Sequence, residues 1–147
     1  MIHVDVSVAT RKFTIDRDLL GRAAKAALAG RIADATVSIT VVGEDRMRRL
    51  NKLTLGHDYV TDVLSSDHGE TPEGRLIEVI TCAPFAARQS VLHGVPFKQE
   101  LARYVIHGCL HCAGLEDDSE KTRAAMWIQQ ERVMKRVFGK AYVPTAT

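Results

Sequence analysis

Several things are scarce in this 147-residue chain, and each scarcity excludes a class of protein. Three cysteines, an odd number, exclude a disulfide framework and indicate reduced thiols in a cytoplasm. The chain has no apolar run of about 18 residues and no signal peptide at its start, so no membrane segment is predicted. A net charge of +2 neither indicates nor excludes a nucleic-acid partner, because a local basic patch is sufficient.

The remaining composition is that of a folded domain, with 46% apolar and 26% charged residues. Alternating apolar residues predict strands, and helical periodicity predicts helices. The strands fall at residues 2–8, 35–42, 63–65 and 76–81, and the helices at about 16–31, 44–53, 84–93, 97–113 and 118–138. We therefore predict one α+β domain over residues 1–147, with a four-stranded mixed sheet and about five helices. Residues 66–74 are expected to form a surface hairpin or excursion, and the tail after Gly139 to be loose.

The segment that carries chemistry begins at His107. His107 and His111 are four residues apart, so on a helix they differ by about 40° around the axis and about 6 Å along it. Gly114 then ends the helix, and Asp117 or Asp118 can return over the two rings. Two imidazoles and one carboxylate leave a fourth position open on a tetrahedral zinc ion, where bound water becomes a nucleophile. The pattern predicts a zincin-like metal helix, with ordinary buried histidines as the alternative.

Two neighbouring features limit this hypothesis. Gly108 stands where an H-E-x-x-H protease has its glutamate, so the general base of that mechanism is missing. Cys109 and Cys112 form a C-x-x-C, but they lie about 200° and 140° around the helix from His107. We interpret them as small core residues rather than as a zinc or redox pair.

The stretch H-G-C-L-H-C-A-G-L-E-D at 107–117 resembles the signature of the YbeY family, bacterial endoribonucleases of ribosomal RNA maturation. Other stretches resemble the family too, and together they extend from about residue 35 to about residue 137. They are L-N at 50–51, T-D-V-L-S at 61–65, E-L at 100–101, and Met126 with a nearby acidic residue. The resemblance implies a metal-dependent, single-strand-specific endoribonuclease that acts in ribosomal RNA maturation and ribosome quality control. It implies one Zn²⁺ per chain on His107, His111 and Asp117, ribosomal precursor RNA as substrate, and ribosomal proteins as further partners.

The chain departs from the family pattern at three places. Asp117 replaces the usual third histidine, as in a branch of the family that the L-G-H-D-Y stretch at 55–59 also resembles; an aspartate oxygen is an acceptable zinc ligand. Leu55 replaces the family arginine that contacts the RNA, so His57 becomes the candidate for proton handling or phosphate contact; the alternative is an ordinary exposed loop histidine. Ser66-Asp67 replaces the usual Phe-Pro.

RNA contacts are predicted on the second helix. Arg46, Arg49 and Lys52 recur at i, i+3 and i+6, which suits a phosphate backbone; the alternative is a solvated helix face. Two other functions stay open. One is a ribosome-associated RNA-binding protein whose structural zinc is closed by a fourth protein ligand. The other is a metal hydrolase of a different substrate, which a narrow apolar pocket would favour.

Overall fold

The protein was analysed as a computed structural model that describes residues 1–145. Within that range two strand–helix units are followed by a pair of consecutive strands, three consecutive helices and a short 3-10 turn. In chain order they are β1 (Ile2–Ala9), α1 (Arg17–Leu28), β2 (Ala35–Val42), α2 (Glu44–Leu55), β3 (Val63–Thr71), β4 (Gly74–Cys82), α3 (Ala83–His93), α4 (Phe97–Cys112), α5 (Glu120–Phe138) and a 3-10 turn (Gly139–Ala141). None of these helices combines the length and the apolar character needed to cross a bilayer.

The four strands form one mixed sheet in the order β1-β2-β4-β3. β1 pairs with β2 in parallel, β2 pairs with β4 in parallel, and β3 joins β4 as an antiparallel edge strand. In the central strand β2, every second residue from Ala35 to Val41 is buried, as its alternating branched side chains predict. The predicted single-domain α+β architecture with a four-stranded mixed sheet is therefore confirmed.

Helix α4 lies at the centre of the core. It packs against the sheet and against α1, α3 and α5, and most of its residues are buried. Its fully buried side chains include Leu101, Ile106 and Leu110. Burying a side chain of that size contributes about 1.5–3 kcal/mol, so α4 is a rigid platform for the polar groups that it carries.

One local prediction holds in one of its two forms, and another is wrong. Residues 66–74 form the hairpin and not the excursion, because β3 continues to Thr71 and only residues 72–73 separate it from β4. Their carboxylates suggested a loop, yet Asp67 pairs across the hairpin with Arg75, and the register shifts between Asp67 and Glu70. The tail is docked rather than loose as far as Val143, whose N–H and C=O both bond to the Gln99 amide, at 3.0 and 2.6 Å.

Candidate metal centre

Gly108 allows α4 to lie unusually close to the sheet. A Cβ at this position would lie 3.2 Å from both Ser65 Cβ and Val63 Cγ2, and 3.3 Å from Val79 Cγ1. A glutamate here, as in H-E-x-x-H, would bring a carboxylate into an apolar contact, which is costly. The missing glutamate is thus explained by packing: this position faces the sheet, whereas His107 and His111 keep 27% and 31% of their side-chain surface exposed.

The structure brings three of the predicted site residues together. The Nε2 atoms of His107 and His111 lie 3.0 Å apart, and Asp117 Oδ2 lies 3.3 Å from the first and 3.2 Å from the second. Among residues 1–145, these three side chains form the group whose ligand atoms lie close enough together to hold one metal ion. Asp118, the other candidate for the third ligand, is exposed and instead accepts a hydrogen bond from Thr122 Oγ1. The carboxylate that lies at the two imidazole rings is therefore that of Asp117.

Hydrogen bonding to the far side of each ring determines which nitrogen faces the site. His111 Nδ1 lies 3.0 Å from the Leu115 carbonyl oxygen, which can only accept, so this nitrogen carries the proton. His107 Nδ1 lies 2.8 Å from the Gln130 carbonyl oxygen Oε1, with the same consequence. A neutral imidazole that carries its proton on Nδ1 presents a lone pair at Nε2, so the two Nε2 atoms are the ones available to a metal ion.

Gln130 is itself oriented by a neighbour. Its amide Nε2 donates to Glu131 Oε2 at 2.9 Å, which leaves Oε1 facing His107. Burial by itself raises the pKa of Glu131, but hydrogen bonds from Arg103, Gln130 and Tyr142 bring this pKa below its ordinary value. Glu131 is therefore an ionised carboxylate and accepts only, so the amide cannot be reversed without losing both contacts.

The three converging atoms fit a cation. Two nitrogen lone pairs and a carboxylate oxygen repel one another at about 3 Å unless a positive charge lies between them. Around a tetrahedral zinc ion with bonds of about 2.0–2.1 Å, neighbouring ligand atoms lie about 3.3 Å apart. The observed separations of 3.0, 3.2 and 3.3 Å match that spacing. The residues present therefore fit a single metal ion with a fourth position left for solvent or substrate.

A buried charge network supports this arrangement from behind. The Arg103 guanidinium makes a bidentate pair with Glu131, at 3.0 and 2.8 Å, and a third bond to Glu100 at 2.6 Å. Glu100 is fully buried and also contacts the Tyr104 hydroxyl and His93 Nδ1. Removing one partner of such a network is expensive, about 3–5 kcal/mol, because a buried charge is left uncompensated. The network therefore holds α4 and α5 in one relative position.

A cleft of about 400 Å³ opens beside the metal-binding residues. It is lined by one face each of α3, α4 and α5, together with Asp62 and Asp117. This volume lies within the ordinary range for a small-molecule pocket. The lining residues are Asp62, Phe85, Gln89, His93, Glu100, Arg103, Tyr104, His107, Asp117, Arg123, Met126, Trp127 and Gln130.

Other predicted site residues lie elsewhere. Arg46, Arg49 and Lys52 are exposed on α2, as expected of a surface that contacts a backbone. In residues 1–145, His57 is not among the residues that line the cleft; its ring stacks on Tyr59 at 5.2 Å between centroids. Leu55, the last residue of α2, is 58% exposed. The contact roles of these residues stay predictions.

The cysteines are free thiols, and their geometry agrees with the core interpretation. Cys109 has no exposed surface, and burial raises the pKa of its thiol well above the ordinary value. Cys112 is half-buried and packs against the same core. Neither belongs to the metal-binding group.

Sequence reasoning missed the residues behind the site, above all Gln130, Glu131 and Arg103. A signal was present: Glu100, Arg103, His107 and His111 recur at i, i+3, i+7 and i+11, so they form a polar stripe along a helix that is otherwise mostly apolar from Leu101 onward. Polar groups inside a buried helix require partners, so the stripe indicates a polar partner helix. The Gln130-Glu131 pair lies among the apolar residues of α5 and is that partner.

The fold and the site together define a single-domain α+β protein with a helix-borne site for one metal ion. The family model described as Endoribonuclease YbeY matches residues 6–138. Endoribonuclease YbeY of Chlorobaculum tepidum is 34% identical over 132 residues, which cover 87% of this chain and 93% of that protein. The protein of the same name from Aromatoleum aromaticum is 34% identical over 116 residues, or 79% and 73% of the two chains.

A solved structure agrees with the sequence comparisons. The solution structure of TM1509 from Thermotoga maritima aligns with a TM-score of 0.64 and 27% identity, over 95% of this chain and 91% of that one. The chain belongs to the YbeY family of endoribonucleases.

Proposed function

We propose that residues 1–147 form one zinc-dependent, single-strand-specific endoribonuclease domain that acts in ribosomal RNA maturation and ribosome quality control in the cytoplasm. His107, His111 and Asp117 hold one Zn²⁺ per chain, ribosomal precursor RNA is the substrate, and ribosomal proteins are further partners. The observation that carries this proposal is the convergence of two histidine lone pairs and a carboxylate at metal-ligand spacing, in a member of an endoribonuclease family.

The residues around the site suit phosphodiester hydrolysis. A bound zinc ion supplies Lewis-acid stabilisation of the phosphate and an activated water. Asp117 keeps 39% of its side chain exposed, so a chain of RNA can reach the three ligands from solvent. Arg123 is exposed and lines the adjoining cleft, where its guanidinium can pair with a phosphate oxygen. The Gln130 carbonyl holds the His107 ring in the orientation that the ligand set needs.

The exposed face of α2 extends the proposed RNA contact. Arg46, Arg49 and Lys52 supply charges that follow a backbone without reading bases. His57 is assigned a proton-handling or phosphate-contacting role in place of the missing family arginine. It is exposed, and its Nδ1 lies within hydrogen-bond distance of the Tyr59 hydroxyl, at 3.0 Å.

Zinc analysis and RNA cleavage, made on the same preparations, test the proposal. Wild-type protein is expected to carry about one zinc and to cut a single-stranded RNA but not the same sequence in a duplex. His111→Ala is expected to lose both zinc and cleavage. Zinc content unchanged by His111→Ala would contradict the assigned ligands.

Other outcomes would select the competing functions. Wild-type protein that binds zinc and RNA but never cuts would be an RNA-binding protein with a structural zinc, although the group in residues 1–145 offers three ligands rather than four. The aromatic lining of the cleft is the one observation that favours a hydrolase of a small phosphoester. Hydrolysis of such an ester without cleavage of RNA would establish that function.

A further inference from the structure

The cleft beside the metal-binding residues is built by three helices in a regular way. Its floor is one face of α4, with residues at i, i+3, i+4 and i+7, and its walls are matching faces of α3 and α5. The floor residues are Glu100, Arg103, Tyr104 and His107, and the wall residues are Phe85, Gln89 and His93 on α3 and Arg123, Met126, Trp127 and Gln130 on α5. The floor runs from the metal ligand His107 to Glu100, seven residues or about 10 Å along the helix.

The side walls of this cleft are aromatic and accessible. Trp127 is 46% exposed, and the Arg103 guanidinium carbon lies 5.6 Å from the centre of its ring. Phe85 stands on the opposite helix, with its ring centroid 6.2 Å from that of Tyr104. Tyr104 belongs to the buried core and Phe85 packs against it, whereas the core does not include Trp127, so the exposed indole is the aromatic surface of the cleft that core packing does not explain.

The polar groups of the cleft divide into those already satisfied and those free for a ligand. Arg103 pairs with both Glu100 and Glu131, and Glu100 also contacts the Tyr104 hydroxyl and His93 Nδ1, so the bonding capacity of these groups is taken up within the protein. In residues 1–145 the side chain of the half-buried Gln89 lines the cleft and its amide makes no hydrogen bond to another residue, so its donor and acceptor capacity is free for a ligand. A flat, largely apolar ligand with donors and acceptors on its edge matches this lining.

We propose that this cleft is a nucleobase subsite, which holds one unstacked base of the RNA between Phe85 and Trp127 while the attached phosphodiester lies at the metal-binding residues. This inference rests on the proposed function, and it adds a binding site for one base of the RNA. Aromatic rings are the usual platforms for unpaired bases, and an amide is suited to the edge of a base. Since a base must leave the helical stack to enter, the subsite accounts for a preference for single strands.

The fluorescence of Trp127 tests this directly, because it is the only tryptophan of the chain. The four nucleoside 5′-monophosphates serve as probes, since they carry a base and a phosphate but no phosphodiester to cut. Ribose 5-phosphate is the matched probe without a base. The full-length, zinc-loaded protein is titrated with each, and the titrations are repeated after zinc removal.

We expect saturable quenching of Trp127 by at least one nucleotide, with and without zinc, and none by ribose 5-phosphate. Phe85→Leu is expected to weaken nucleotide binding about tenfold, through loss of stacking, and Gln89→Ala by about fivefold, through loss of an edge hydrogen bond. Val91→Ala, on the same helix but 81% exposed and outside the cleft, is the control and is expected to bind as wild type. Gln89→Ala removes only a half-buried surface amide, so it keeps the test valid if Phe85→Leu is unstable.

Equal quenching by ribose 5-phosphate and the nucleotides, or unchanged nucleotide binding in the Phe85→Leu and Gln89→Ala variants, would overturn the subsite. Such a failure is separate from failure of the proposed function. If the subsite alone is wrong, wild type still cuts RNA in a manner that depends on His111. If the proposed function alone is wrong, the nucleotides still bind saturably but RNA is never cut.

Discussion

Replacing Gln130 with methionine tests the hydrogen bond that orients the first metal ligand. The substitution keeps the length of the side chain and removes the acceptor that lies 2.8 Å from His107 Nδ1. Without that acceptor the ring is free to rotate or to exchange tautomers, and the Nε2 lone pair is no longer held toward His111 and Asp117. Glu131 keeps its bonds from Arg103 and Tyr142, so the buried charge pair survives the change.

Loss of such a partner typically weakens metal binding about 10- to 100-fold. The His107 side chain is 27% exposed, so water replaces part of the lost bond, and the lower end is expected: about tenfold, or 1.4 kcal/mol. The assay is a zinc competition titration against a chromophoric chelator. Gln129→Met is the matched control, because Gln129 is the adjacent residue and bonds to Arg31 on the surface rather than to the site. Wild-type zinc affinity in Gln130→Met would refute the orienting role.

Three further predictions concern packing, pH and RNA. Gly108→Ala is expected to lower the free energy of unfolding by about 1–3 kcal/mol, because the new methyl group crowds the sheet at 3.2 Å. Gly21→Ala in α1 is the control: its methyl group has open space, so it should raise the free energy of unfolding by about 1 kcal/mol. Equal chemical-denaturation midpoints for the two variants would contradict the crowding at Gly108. Since the pKa of Glu131 is lowered by folding, its stabilisation is present above the ordinary pKa of 4.5 and is lost as pH falls through the folded value. Glu131→Gln should therefore be less stable than wild type at pH 7 and lose less stability on acidification; parallel melting-temperature profiles would contradict this. Replacing three of the four basic residues of α2, Arg46, Arg49 and Lys52, by glutamine should reduce the slope of log Kd against log salt for single-stranded RNA by about 2. An unchanged slope would show that this face does not contact the RNA backbone.

The elements with strong periodicity were predictable from the sequence. β1 and β2 alternate apolar and polar residues without interruption, and both lie where the pattern predicts them. The second half of β3 was not predictable from local pattern, because its polar and glycine residues are those of a loop. It becomes a strand through pairing with β4, including the Asp67–Arg75 ion pair, which lies across the hairpin.

The candidate site was predictable in part for a geometric reason. The i, i+4 spacing of His107 and His111 and the short return to Asp117 are local, so helical geometry alone brings the three together. The supporting residues are distant in sequence: Gln130 lies 23 residues from His107, and Glu131 lies 28 from Arg103. Only the packing of α5 against α4 brings those pairs into contact.

Leu55, at which the sequence resemblance implies an arginine in the family, has a defined structural context as well. Leu55 is 58% exposed at the end of α2, where Gly56 follows in a left-handed conformation with φ 73°. Core packing therefore does not explain a leucine at this position. Arg123, from a different element, is an exposed guanidinium that lines the cleft.

The central claim is that Asp117 completes a metal centre that cuts RNA. Zinc content and cleavage of single-stranded RNA in Asp117→Ala, measured beside Asp118→Ala, test it most directly. Asp118 is the neighbouring carboxylate that bonds to Thr122 instead of facing the rings, so its variant should keep about one zinc and the wild-type cleavage rate. The account predicts that Asp117→Ala loses both zinc and cleavage. Full zinc content and full activity in Asp117→Ala would contradict it.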